Sequence, residues 1–339
     1  MTETNGTKRP GRILFAGDLR KRRHTSFYIL KALKEMGFSV DPVDLSRPEA
    51  GRRKLSRLAA GREYLCFIAV KGEGLDPSAV AGLSAAMPTI LWYPDFIMFD
   101  WLARLIPSFR FFFSVSRDFQ DEARRLFPSV SCGWLAQGPR FHEFKAPLRK
   151  KKISDLALIG NLAGEYYAER RRMLSGLVKS GNYDLKIWGP PLDRSMMTDE
   201  EYSLLLPYHA GRAVYGRRFK DVVLNSSIVI GHDSVWNQAG CTSAKTFMVL
   251  GCGGFYLTRK GGFEKEIFRS GEELETYETL GELREKIAYF LVHGDERRRI
   301  AEKGRSTVLS RYTYDRRMGE MLEAAGVLQE KKNGSKESA

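Results

Sequence analysis

Strand-like apolar runs alternate with helical patterns along this chain, and they do so twice. RILFAGD (12–18) reads as a buried strand ending in a glycine. SFYILKALKEMG (26–37) reads as a helix, with Phe27, Leu30, Leu33 and Lys34 at helical spacing and Gly37 as its C-cap. FSVDPVDL, YLCFIAV, TILWYP (89–94) and FRFFFSVS (109–116) supply further strands, followed by a helix through Arg124 and the short run SCGWLA (131–136). A charged, proline-containing segment, PLRKKKISD (147–155), interrupts the series. The pattern then restarts with strand LALIG, a helix over 166–179, strand DLKIWG (184–189), a long proline-containing loop, a helix near 217–225 and strand SIVIG. Helices near 280–292 and 295–310 close it. Such repetition predicts an α/β chain of two doubly wound, Rossmann-like halves, with ligand in a cleft between them at the carboxyl ends of the strands.

The 339 residues, 43% of them hydrophobic, suffice for two such cores. The expected domains are 11–146 and 147–313, with a terminal helix over 314–327 that crosses back to the first. The polar ends, 1–10 and 328–339, are expected to be disordered. No apolar run approaches the ~20 residues that span a bilayer, and MTETNGTKRPGR lacks the apolar core of a secretory signal. Cys66, Cys132, Cys241 and Cys252 are scattered without a CxxC pair, which predicts free thiols, a reducing cytoplasm and no structural zinc. The net charge of +14 gathers at Arg20–Arg23, Arg149–Lys152, Arg170–Arg172 and Arg297–Arg299. That field favours anionic partners: nucleotides, acidic glycans, nucleic acid or a lipid surface. The aromatic pattern of specific RNA binders is missing, so a specific nucleic-acid partner is not expected.

The stretch CTSAKTFMVLGCGGFY (241–256) says most about function. A small polar N-cap, Thr242 or Ser243, opens a short helix that Gly251, Gly253 and Gly254 close, and a β-rich run, Phe255–Thr258, follows. A helix amino end gathers unpaired N–H groups and the positive pole of the helix dipole, so it holds phosphate readily. Here the anion would also meet the Ser243 hydroxyl and the Lys245 ammonium. The alternative is an ordinary helix–strand corner.

Five segments in order resemble the GT-B glycosyltransferases, most closely their spore-maturation CgeB-like branch: DLALIGNL with ERRRMLSGL, LKIWGP, AVYGRRFKDVVLNSSIVIGHD, SAKTFMVLGCGGFYLT, and the run YFLVHGDERRRIAEKGRSTVLSRYTYDRRMGEML. Residues 12–146 resemble the family only generally. The resemblance implies a GT-B fold of two domains facing a central cleft, and a nucleotide-sugar donor, UDP- or GDP-linked, held by the second half. It places the backbone at Gly160 and Asn161, with Arg170 or Arg171 and less strongly Lys220, against the diphosphate. Tyr215 and Gly216 match the loop that packs on the base, and Ser243, Ala244, Lys245 and Thr246 the segment that holds the phosphates. Met248 stands where the family has a glutamate for the ribose hydroxyls, which methionine cannot accept. No DxD sequence stands at a strand end, so neither metal nor cofactor is expected.

In the first half the resemblance sets Gly17 and Asp18 under the donor sugar and diphosphate; the basic loop with Arg22, Arg23 and His24 either helps or is simply solvated. Asp95, in WYPDF, resembles an aromatic–acid motif of the branch, and a carboxylate there could deprotonate an acceptor hydroxyl; a turn aspartate is the alternative. His232 and Asp233 end a strand beside the donor site and are second candidates for catalysis. His24, His142, His209 and His293 read as structural or surface residues. WLARLIPSFR (101–110), within an aromatic belt, reads either as core or as an amphipathic patch that docks on a membrane or a partner. The expected function is metal-independent sugar transfer to an unidentified acceptor by a cytoplasmic enzyme of the EC 2.4 class. A GT-B-like binding protein without activity, a basic nucleic-acid-associated protein and a sugar-nucleotide epimerase remain as alternatives.

Overall fold

The computed structural model describes residues 11–20, 24–139, 152–232, 237–264 and 266–328. The expectations for both chain ends, for Arg149–Lys151 and for a boundary at Pro147 concern residues outside these ranges. Contacts divide the chain into two units, one running to Leu135 and resuming at Tyr314, the other spanning Ala136–Thr313.

The first unit holds β1 (Arg12–Gly17), α1 (Thr25–Glu35), β2 (Ser39–Asp44), α2 (Pro48–Gly61), β3 (Cys66–Val70), α3 (Pro77–Ala86), β4 (Thr89–Tyr93), α4 (Asp100–Leu105), β5 (Phe111–Ser114), α5 (Arg117–Leu126) and β6 (Ser131–Trp134). Its sheet runs β2-β1-β3-β4-β5-β6, every pair parallel. β3 and β4 are buried throughout, as central parallel strands covered on both faces must be. That double covering is why these runs are continuously apolar rather than alternating. The Asp76 carboxylate caps α3 by accepting from Ala79 N–H, with proline in its first turn.

The second unit holds β7 (Ser154–Ile159), α6 (Ala168–Ser180), β8 (Leu185–Trp188), α7 (Asp199–Leu205), α8 (Gly216–Leu224), β9 (Ser226–Gly231), α9 (Ala244–Cys252), β10 (Tyr256–Arg259), β11 (Glu275–Tyr277), α10 (Leu280–Val292) and α11 (Gly294–Arg311). Its sheet, β11-β10-β9-β7-β8, is again parallel. Both sheets therefore have a switch point, where successive connections leave in opposite directions: β1/β3 in one unit and β7/β9 in the other. The last helix, α12 (Tyr314–Ala324), packs on α1 in the first unit and buries Tyr314, Met318, Met321 and Leu322. The Tyr314 ring stacks on Tyr28 at 6.4 Å and meets Trp92 edge-on at 6.1 Å.

Leu102, Leu105, Ile106 and Phe109 are all buried, so WLARLIPSFR follows the core reading. The exposed apolar side chains lie just before it, at Ile97 and Phe99. The proline-containing loop after β8 contains α7, started by a capping box: Thr198 Oγ1 accepts from Glu201 N–H and Glu201 Oε2 from Thr198 N–H. Among the described residues no helix is long and apolar enough to cross a membrane.

Burial alone would raise the Glu201 carboxyl, but the Thr198 amide and the Arg171 guanidinium hold it below its ordinary value of 4.5. A depressed folded-state value adds stability that is complete above the unfolded value and disappears as pH falls through the folded one. Glu201→Gln should therefore lower the melting temperature at pH 7, and the gap to wild type should close as the pH is taken down from about 5. A gap that does not depend on pH would refute this account.

Candidate functional site

At the β7/β9 switch point the chain leaves β7 through Gly160 and β9 through His232. Gly160 is a place of close approach. A Cβ built on it would lie 2.9 Å from Lys245 Nζ and 3.0 Å from Arg170 Nη1, so cations from α9 and α6 converge on its bare Cα. The next strand adds a second such contact, because a Cβ on Gly189 would stand 2.2 Å from the Gly160 carbonyl oxygen. Side chains at either glycine would close the gap that the cations border.

Arg170 is buried and braced. Its Nε and Nη2 donate to the His232 carbonyl at 2.9 and 2.6 Å, and its Nη1 donates to the Asn161 carbonyl at 2.8 Å. Its guanidinium also lies 4.8 Å from the Tyr167 ring centre. Asn161 Oδ1 accepts from Ala163 N–H. One side chain thus ties the loop after β7 to the end of β9. Arg171, the other arginine that the resemblance offers, is turned elsewhere. It donates to the carbonyls of Leu162 and Gly164 and pairs with Glu201 at 3.1 Å, so it shapes the loop rather than bordering Gly160.

α9 begins where expected, with Ser243 as N-cap in extended conformation and Ala244, Lys245 and Thr246 in the first turn. Thr242 and Thr246 share a hydroxyl–hydroxyl bond of 2.7 Å. The helix ends on Gly253 in the left-handed region (φ 88°), whose N–H donates to the Leu250 carbonyl. Half-buried Met248 follows Lys245 by three residues and shares its side of the helix. Lys220 is buried on α8, and its charge acts on the Cys252 thiol in the last turn of α9; burial pushes that thiol up to about 12 against the pull of Lys220 and Arg305. Tyr215 is the N-cap of α8 with its ring half exposed, and Gly216 has a φ of 54°.

His232 sits in a chain of polar groups from β10, β11 and α6. Tyr277 donates its hydroxyl to the Gly231 carbonyl at 2.9 Å, so it accepts from His232 Nδ1 at 3.1 Å. The imidazole is then protonated on Nδ1, and Nε2 accepts from Arg259 Nη1 at 3.3 Å. Arg259 pairs in turn with Glu169 at 2.5 Å. Both ring nitrogens have partners, which holds the imidazole in one orientation. Glu169, Arg259 and Tyr277 had no place in the sequence reading. Asp233 lies outside the described residues.

In the first unit, Gly17 ends β1 where a Cβ would meet Ser26 Oγ at 2.6 Å, so the loop can curl back on α1. Asp18 holds that loop together by accepting from Arg20 N–H and approaching His24 Nδ1 at 3.0 Å. Arg22 and Arg23 lie outside the described residues. Asp95 follows β4 and pairs with Lys71, directly after β3, at 2.5 Å.

Residues 170–323 match the protein family described as Glycosyl transferase-like. No curated protein matches the chain. Among solved structures, the chain is similar to HepE of Anabaena, crystallised in complex with UDP and glucose, at 11% identity and a TM-score of 0.64, over 93% of this chain and 99% of that one. It is similar to a glycosyltransferase of Rickettsia africae at 10% identity and a TM-score of 0.64, covering 94% and 98%. The sucrose-phosphate synthase of Thermosynechococcus elongatus gives 11% identity and a TM-score of 0.60 over 92% and 98%. At such identities the likeness is one of fold, and the fold is that of the GT-B glycosyltransferases.

Arg170→Met would leave the buried carbonyls of Asn161 and His232 without their charged donor, at a cost of about 3 kcal/mol. Urea denaturation of Arg170→Met should show that loss, and an unchanged midpoint would refute the bracing role of Arg170.

Proposed function

We propose that this protein is a glycosyltransferase of the EC 2.4 class and of the CgeB-like branch, moving a sugar from a nucleoside diphosphate to an acceptor hydroxyl. The observation that supports it most is the convergence of Lys245 and Arg170 on Gly160, beside the amino end of α9 and at the switch point of its sheet. In this reading Lys245, Ser243 and the first N–H groups of α9, with Ala244 and Thr246, take the diphosphate, and the braced Arg170 adds a fixed charge. Tyr215 and Gly216 pack on the base, and Met248 lies against the ribose. Gly17 and Asp18 approach the sugar. The UDP in the Anabaena structure and the match of residues 170–323 to a glycosyl transferase-like family support a UDP-type donor.

The chemistry follows from where charge develops. The anomeric carbon–oxygen bond to the diphosphate breaks, and the departing oxygen's negative charge needs positioned cations and N–H donors. Lys245, Arg170 and the α9 dipole supply positive charge there without a divalent cation. The acceptor oxygen forms the new bond to the anomeric carbon, and its proton passes to the Asp95 carboxylate. A cytoplasmic location fits a nucleotide-sugar donor. The second reading, a GT-B-like binding protein without turnover, is favoured by Met248, which offers the ribose no acceptor.

Calorimetry with UDP, GDP and uridine tests the donor site. Lys245→Ala should weaken UDP binding by about 1–3 kcal/mol, the worth of a charge-assisted contact, and leave uridine binding nearly unchanged. Equal losses for both would refute the phosphate placement. Asp95→Asn should lower UDP-glucose turnover by about 10²–10⁴-fold with UDP affinity and melting temperature unchanged. A drop in melting temperature with turnover per folded molecule preserved would make Asp95 a turn residue instead. A wild type that binds UDP but consumes no nucleotide sugar would favour the binding-protein reading.

A further inference from the structure

Among the described residues, Lys71 is the one non-glycine residue with positive φ, at 66°. A side chain in that region brings Cβ against the backbone, so L-residues other than glycine occupy it sparingly. Glycine is what the surrounding turn otherwise uses: Gly72 has φ 79° and Gly74 φ 86°. The turn is also pinned. Lys71 N–H donates to the Trp92 carbonyl at 2.9 Å, Leu75 N–H donates to the Gly72 carbonyl at 3.0 Å, and a Cβ on Gly72 would stand 2.8 Å from Leu105 Cδ2. Packing therefore dictates the left-handed conformation at position 71, and the lysine adapts to it.

Its side chain reaches Asp95 Oδ2 at 2.5 Å, with the two side chains 53% and 44% exposed. An ion pair this open to water contributes little to stability. A strained residue and a weak pair do not together account for lysine where glycine would carry no strain. Strain of this kind is retained at sites where a side chain must be held in one place. The place is informative: β3 and β4 are neighbours, β3 borders the β1/β3 switch point, and Lys71 and Asp95 stand at the carboxyl ends of those two strands.

We propose that Lys71 is the positioning residue for Asp95. Its ammonium fixes Oδ2 and leaves Oδ1 to accept the proton of the acceptor hydroxyl, with backbone strain as the means of holding that ammonium still. This rests on the transferase reading, in which Asp95 is the base.

The test compares wild type, Lys71→Gly and Lys71→Arg in the full chain by melting temperature, UDP calorimetry, UDP-glucose turnover and crystal structure. Lys71→Gly should melt at or above wild type, because glycine accepts φ 66° freely, while its kcat falls at least tenfold at unchanged KM and unchanged UDP affinity. Lys71→Arg should recover most of that rate. In crystals the Asp95 carboxylate should leave its wild-type position in Lys71→Gly and keep it in Lys71→Arg. Melting several degrees below wild type would make Lys71 a strut and overturn the proposal, as would an undisturbed Asp95 or an undiminished kcat. A wild type without UDP binding or turnover would count against the transferase reading alone, and the melting and crystallographic comparisons would still decide the part played by Lys71.

Discussion

The buried guanidinium of Arg170 is the interaction on which the second unit's functional end depends. Parallel strands leave their last carbonyls pointing into the region where a ligand must enter, and at a switch point two such ends diverge. Arg170 joins the Asn161 carbonyl beyond β7 to the His232 carbonyl beyond β9. Three charge-assisted bonds to backbone are stronger than neutral ones and tie the two strand ends to one side chain. Everything else at the site is built against this fixed seam, including the bare surface of Gly160 and the approach of Lys245.

The polar chain behind His232 extends the same logic outward. Tyr277 anchors the imidazole to the Gly231 carbonyl, and Arg259 carries the connection to Glu169 on α6, the helix that also holds Arg170. Strand ends from β9, β10 and β11 are thereby tied to one helix. The arrangement concentrates structural bonds on the arginine and the histidine.

The strand–helix alternation was legible because fully buried parallel strands are continuous apolar runs, and the α9 corner because its N-cap, cation and closing glycines fall within one short stretch. Arg170 and Arg171 could not be told apart. Adjacent residues on a helix point about 100° from one another, and only tertiary packing says which direction meets Gly160. Lys220 was the weaker candidate, and the sequence alone does not say that its side chain is buried on α8. The segment from Trp101 to Arg110 shows the opposite limit: an amphipathic pattern is the same whether its apolar side meets protein or lipid. α7 was a different matter, since Thr198 and Glu201 stand at capping-box spacing and the signal was overshadowed by the neighbouring prolines. Lys71 had no signal of any kind, because a φ angle imposed by packing leaves no trace in composition.

The return of α12 to the first unit has a consequence for how the chain is made. The strands of that unit are complete at Leu135, but the helix that covers α1 begins at Tyr314, so 178 residues, 136 to 313, are synthesised in between. At translation rates of 5–20 residues per second that interval is roughly 10–35 s. Throughout it the surface around Tyr28 and Trp92 has no Tyr314, Met318, Met321 or Leu322 to cover it, so the sheet of the first unit is made well before its apolar covering helix.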